Sequence, residues 1–156
     1  MSKIEDRLAE LGVSLPPVVK PVAAYVPAVI TGNLVYTSGQ LPLVEGSMAA
    51  AGKVGEGEGL VSPETAKELA RTCALNGLAA AASAIGSLDR VTRVVKVVGF
   101  VASDPSFTGQ PAVINGASEF LGEVFGDIGA HARSAVGVAS LPLDTAVEVE
   151  LILEFA

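Results

Sequence analysis

The sequence predicts an α+β domain, a sheet with its helices on one face and another copy of the chain against the other. Three observations predict it. The elements run β-hairpin, helix, strand, helix, strand, strand, an order that segregates helices to one side of a sheet. Only two helices are long, enough to cover one face. The long strand between them is apolar on both faces, the pattern of a strand covered on two sides. The chain has 156 residues, the size of a single domain.

The elements follow in order. Ile4, Leu8 and Leu11 recur at i, i+4 and i+7 with charges between them, and Gly12 follows. That spacing predicts a short amphipathic helix with a glycine stop. Residues 15–21 are proline-rich and extended. Residues 23–30 and 34–38 are strand-like, and Thr31-Gly32-Asn33 between them is a tight hairpin turn. Residues 46–59 are glycine-rich and read as a flexible loop. Ser62-Pro63-Glu64 opens a helix that runs to Ile85 and stops at Gly86. The second half of that helix, residues 78–85, is apolar nearly all round and rich in alanine, so it is expected to be deeply buried with close backbone approach.

Residues 91–102 form the long strand. Simple alternation places 91, 95, 97, 99 and 101 on one side with Arg93, and 94, 98 and 100 on the other with Lys96. Residues 111–125 form the second long helix, with Val113, Ala117, Phe120, Leu121 and Val124 on one face. A loop at 126–130 leads to two final strands, 133–138 and 146–155, joined by residues 139–145. Two helices leave one sheet face bare, and monomers rarely tolerate a large apolar patch. A symmetric homo-oligomer is therefore expected.

Composition supports the same reading. Half of the chain is hydrophobic but only 4% is aromatic, so the core is built from Val, Leu, Ile and Ala. Each buries little area, at about 25 cal/mol per Å², and such a core needs many contacts or a partner subunit. The mean hydropathy is +0.53, yet the longest apolar run, residues 78–85, falls far short of the ~20 residues of a membrane span. The charged N-terminus does not resemble a secretory signal. Cys73 is alone, which excludes an internal disulfide and fits a reducing cytoplasm. A net charge of −7 opposes phosphate binding and hence a nucleic-acid partner.

No metal or cofactor is expected. One His and one Cys show no ligand spacing, His131 reads as a plain loop residue, and Cys73 reads as packing inside the first long helix. The glycines at 52, 55, 57 and 59 precede no phosphate-loop Lys-Ser/Thr pair. Two features remain. Arg133 opens an otherwise apolar strand. It is either a strand-edge arginine reaching solvent or a fork for a substrate carboxylate. On the last strand Val147, Val149, Leu151, Leu153 and Phe155 face one way, and Glu148, Glu150 and Glu154 the other with Ile152. These glutamates are either a solvated face or include one that handles protons beside an arginine in a subunit crevice.

The residues resemble a known family. Tyr25, then Gly32-Asn33-Leu34-Val35-Tyr36-Thr37-Ser38-Gly39-Gln40-Leu41-Pro42, is similar to the N-terminal hairpin of the RidA/YjgF family. Residues 97–104, Val-Val-Gly-Phe-Val-Ala-Ser-Asp, are similar to its central strand. Asn115 with Phe120 is similar to its second helix. Ala132-Arg133-Ser134, Val138 to Pro142, and Val147-Glu148-Val149-Glu150 are similar to its C-terminal pattern. Residues 1–20 have no counterpart in short members and form an N-terminal extension with a short amphipathic helix, as in the longer RidA-like subgroup. Residues 21–156 form the RidA-like domain.

The resemblance implies a chorismate-mutase-like α+β fold, a mixed sheet with two helices on one face, and a homotrimer with a barrel-like centre and clefts between subunits. It implies hydrolysis of reactive enamines and 2-imino acids to keto acid and ammonia. Arg133 would hold the substrate carboxylate, Glu148 would handle water, and Tyr25, Ser38, Gly39, Asn115 and Ala135 would line the cleft. Ala135 stands where short members often carry Cys, Ala23-Ala24-Tyr25 replaces the usual Gly-Pro-Tyr, and the Asn115-to-Arg133 spacing is one residue longer. The alternatives are a non-catalytic trimer that binds small carboxylate metabolites or a partner protein, and the ribonuclease activity behind the family's older name, endoribonuclease L-PSP.

Overall fold

A computed structural model describes every residue except Met1, Val19 and Val22. The elements are α1 (Lys3–Glu10), β1 (Ala28–Thr31), β2 (Leu34–Thr37), α2 (Pro63–Ile85), β3 (Val91–Ala102), α3 (Gln110–Phe125), β4 (Ala132–Val138) and β5 (Val147–Phe155). The five strands form one sheet in the order β1-β2-β5-β3-β4. Only the β3–β4 pair is parallel, with α3 as the crossover, so the sheet is mixed.

Local chemistry explains the ends. Gly32 takes φ 58 in the β1–β2 turn, a left-handed position that glycine occupies without steric cost. The Ser62 hydroxyl accepts from the Thr65 amide, Pro63 sits in the first turn, and Gly86 closes α2. The start of α1 is capped from a distance. Asp89 accepts from the Ser2 hydroxyl at 2.6 Å and from the Lys3 and Ile4 amides at 3.0 and 2.9 Å. Those hydrogen bonds hold the Asp89 carboxyl below the usual range. Leu8 of α1 is buried in the main core, so α1 is packed into the domain.

Helices α2 and α3 cover one sheet face. Val94, Val97, Val101, Val147, Val149, Leu151 and Leu153 bury there against Leu69, Cys73, Leu78, Val113, Ile114, Phe120 and Leu121. Close approach is achieved with glycine. A Cβ on Gly99 would overlap Ile114, and one on Gly116 would overlap the Lys67 carbonyl. Helix α3 therefore lies tight against both β3 and α2. Cys73 is packing, as its sequence context implies. It is fully buried against the Val147 carbonyl, and that burial pushes its thiol well up, with Glu148 adding to the shift.

Two expectations are corrected. Simple alternation along β3 put Val94 opposite Val97, but both are buried on the helix face. Register shifts between Val91 and Arg93 and between Val94 and Lys96 each insert one residue against β5, and each bulge resets the phase. The glycine-rich loop 46–59 was expected to be flexible. It is pinned by Val54, which is fully buried and bridges both Val61 and Ser103. The Gly52 amide also donates to the Asp144 carbonyl at 2.7 Å.

The other sheet face carries no helix. Val29, Tyr36 and Val136 are exposed there, and Val98, Phe100 and Ile152 are half-buried. Glu148, Glu150, Glu154 and Lys96 lie among them, so this face is mixed rather than wholly apolar. No described helix is long and apolar enough to cross a membrane.

Candidate functional site

The candidate residues assemble into two clusters. The first lies where β4 meets α3. Arg133 pairs with Val97 in the sheet, and Val97 pairs with Leu151, so Arg133 points to the helix side. Its Nη1 donates to Asn115 Oδ1 at 2.7 Å and to Ser118 Oγ at 3.2 Å. Its Nη2 donates to the Pro111 carbonyl at 3.3 Å. All three acceptors are neutral, and no carboxylate pairs with Arg133 among the described residues. The Nε and Nη2 atoms border one edge of the planar group, and each keeps a hydrogen without a partner among the described residues. This is a fixed cation with one Nε and one Nη2 hydrogen still available to an anion. Ala135 is on the same strand and the same side, partly buried against the core.

The second cluster lies where β5 meets the segment after β2. Glu148 pairs with Phe100, and Phe100 with Val136, so Glu148 points to the open face. Thr37, Ser38, Gly39 and Gln40 are laid over it by specific bonds. Thr37 Oγ1 accepts from the Leu151 amide at 3.0 Å. Gln40 exchanges backbone bonds with Val149 at 2.8 and 3.1 Å. Gly39 lets the segment lie directly on Glu148, since a Cβ there would overlap the Glu148 carboxylate and displace it. The Ser38 hydroxyl donates to the Val26 carbonyl at 2.6 Å, which ties in the segment carrying the exposed Tyr25. Glu148 is half-buried and makes no hydrogen bond or ion pair among the described residues. Burial holds its carboxyl above the usual range, and the like charge of Glu150 adds to that shift. A raised carboxyl suits proton transfer near neutral pH.

Arg133 and Glu148 thus stand on opposite faces of the sheet, on strands separated by β3. Asn115 belongs with Arg133; Ser38 and Gly39 belong with Glu148. One chain does not bring the two clusters together. A cavity of about 640 Å³ lies elsewhere, between residues 13–18 with Lys20, the turn at 43–46 and α2. Neither Arg133 nor Glu148 lines it. No group of described His, Cys, Asp or Glu residues could hold a metal ion.

Sequence reasoning missed two residues. Ser118 was not singled out, and His131 was taken as a plain loop residue. His131 Nε2 lies 2.8 Å from Ser118 Oγ, and its Nδ1 lies 2.6 Å from the Gly129 carbonyl. The signal was present. Ser118 follows Asn115 by three, so both share one face of α3. His131 precedes Arg133 by two, the spacing that puts side chains on the same side of an extended chain.

Comparison with known proteins gives a consistent picture. Residues 5–155 match the family described as "YjgF/chorismate_mutase-like, putative endoribonuclease". The Trypanosoma cruzi protein TCP17 is 42% identical over 153 residues, covering 97% of this chain and 94% of that protein. Among solved structures, the Agrobacterium tumefaciens protein Atu1372, of unknown function, is 46% identical with a TM-score of 0.89, covering 98% of this chain and 92% of that one. A "putative endoribonuclease" from Shewanella oneidensis is 30% identical with a TM-score of 0.92, covering 97% of this chain and 99% of that one.

Proposed function

The chain belongs to the YjgF/chorismate mutase-like family, and from that premise we propose that it hydrolyses small reactive 2-imino acids and enamines to 2-keto acids and ammonia. The observation that carries this reading is Arg133. It is fixed by three neutral acceptors and has no carboxylate of its own. A half-buried cation without a counter-charge is a site for a small anion, and its two free donors fit a carboxylate.

Glu148 supplies the proton chemistry. Its raised carboxyl takes a proton from water as the oxygen adds to the imine carbon, and the π pair moves to nitrogen. The proton then reaches that nitrogen; the new hydroxyl gives up its own proton to Glu148, its electrons form the C=O bond as the C–N bond breaks, and ammonia leaves with that second proton. The chain's task is to position the carboxylate and to relay protons from oxygen to nitrogen.

The opposite faces of Arg133 and Glu148 support a site completed between copies. Arg133, Asn115 and Ser118 of one copy would meet Glu148, Gly39 and Ser38 of another. The homotrimer implied by the family resemblance would do this three times and would also cover the open sheet face. Mixing tests it. Arg133→Ala and Glu148→Gln chains, dissociated and reassembled together, regain about a quarter of the wild-type sites if random trimers pair the two residues across an interface. Keto-acid release from an imine generated in situ reads this out. Recovery no greater than the two variants alone rejects the shared site, and no turnover by the wild type rejects imine hydrolysis.

A second reading is a non-catalytic trimer that binds small carboxylates. The completeness of the Arg133 cluster within each chain, beside a Glu148 with no hydrogen bond, favours it. Calorimetric binding that needs Arg133, with no turnover, distinguishes it. A ribonuclease role is opposed by seventeen acidic residues against ten basic ones.

A further inference from the structure

We propose that Ser118 and His131 are positioning residues for Arg133, joined in a one-directional hydrogen-bond relay that holds the guanidinium ready for a carboxylate. The inference rests on the carboxylate-binding reading of Arg133 and goes beyond it to what fixes that arginine.

The two outer links have only one possible direction, and in a neutral ring they set the direction of the middle one. A guanidinium nitrogen only donates, so Ser118 Oγ accepts from Arg133 Nη1 across their 3.2 Å contact. The single serine proton is then free to go to His131 Nε2, 2.8 Å away. That requires Nε2 to be the unprotonated nitrogen. The Gly129 carbonyl only accepts, so Nδ1, 2.6 Å from it, carries the ring proton. The Gly129 carbonyl fixes the tautomer: with the neutral ring's proton on Nδ1, Nε2 is an acceptor and takes the serine proton. Hydrogen bonds are donated from Arg133 to Ser118, from Ser118 to His131, and from His131 to the Gly129 carbonyl.

The relay is anchored at both ends. Gly129 closes a short helical turn, Gly126–Gly129, and is packed so closely on α3 that a Cβ there would strike the Leu121 carbonyl. Ser118 and Asn115 project from the same face of α3 and occupy Nη1 together. Nη1 lies away from Nε, so this tie leaves free the Nε hydrogen and the Nη2 hydrogen not given to the Pro111 carbonyl. An arginine side chain has many rotamers in solution. Tying one nitrogen to a rigid acceptor pair removes most of them before any ligand arrives, which is preorganisation. The single His of the chain thus acts through Ser118 on the substrate-binding cation, at one remove from any ligand.

The test uses the intact protein and two readouts. The first is the ¹⁵N spectrum of the imidazole, unambiguous because there is one His, recorded at a pH where the ring is neutral. The proton is expected on Nδ1. Ser118→Ala is expected to shift the Nε2 resonance, because that nitrogen loses its donor, while the Gly129 carbonyl keeps the proton on Nδ1. The second readout is calorimetry with pyruvate as the probe. Ser118→Ala and His131→Phe are expected to weaken pyruvate about tenfold, and Ser118→Thr, which keeps the hydroxyl, to bind as the wild type does. Unchanged melting temperatures separate this from simple unfolding. A ring proton on Nε2, or wild-type affinity in Ser118→Ala, would overturn the relay. If the wild type bound no pyruvate, the carboxylate reading would fall, while the relay would still be decided by the tautomer and by the shift of the Nε2 resonance in Ser118→Ala, an unshifted resonance overturning it.

Discussion

The two faces of the sheet treat their key charges in opposite ways. On the helix side, Arg133 is held by Asn115, Ser118 and the Pro111 carbonyl, all within its own chain. On the open side, Glu148 has no such partner and sits beside a like charge, Glu150. The difference follows from cover. A guanidinium beneath helices must satisfy its donors with protein acceptors. A carboxylate on a bare face keeps one side for water or for another copy. On the proposed function, the binding half of the site is prebuilt in each chain, while the proton-handling half is tuned by burial and a like charge.

The largest test of that contrast is Glu148→Gln. It is expected to lower kcat by roughly 10²–10⁴ and to leave pyruvate affinity near the wild-type value. Keto-acid release and calorimetry measured on one preparation check the split. An equal loss in both would break the division of labour. Gly39→Ala comes next. Its Cβ would overlap the Glu148 carboxylate and displace it, so kcat should fall roughly 10–10²-fold with Arg133-dependent binding intact. Wild-type kcat in this variant would remove Glu148 from the chemistry.

The smallest effect concerns pH. Glu148 acts as a base only when deprotonated, so activity is lost as pH falls through its raised pKa. The acid limb should lie above the ordinary glutamate value of about 4.3. Glu150→Gln removes the repelling charge, lowers the Glu148 pKa and moves that limb to lower pH. Burial, the larger cause, remains. A pH–rate profile of the two proteins checks both the position and the direction of movement, and a shift to higher pH would reverse the electrostatic account. For stability the sign is the reverse of a paired carboxylate: the raised pKa favours the folded chain below the unfolded value, and that contribution is lost as pH rises through the folded one.

The sequence by itself determined the element order, both long helices, the caps of α2, the hairpin turn and the inward face of β5. Each of these depends on local rules: a periodicity, a capping residue, or a glycine where only glycine fits. It also marked Arg133 and Glu148 as residues to watch. The phase of β3 was not legible, because a bulge depends on what the neighbouring strand offers as a partner. Nor was the pinning of the glycine-rich loop, which rests on Val54 finding bridges at Val61 and Ser103. Above all, only the tertiary structure decided that Arg133 and Glu148 point to opposite faces and that Ser118 and His131 stand behind the arginine. Strand parity is local, but the side a strand turns toward the helices is set by its register with neighbours far away in sequence.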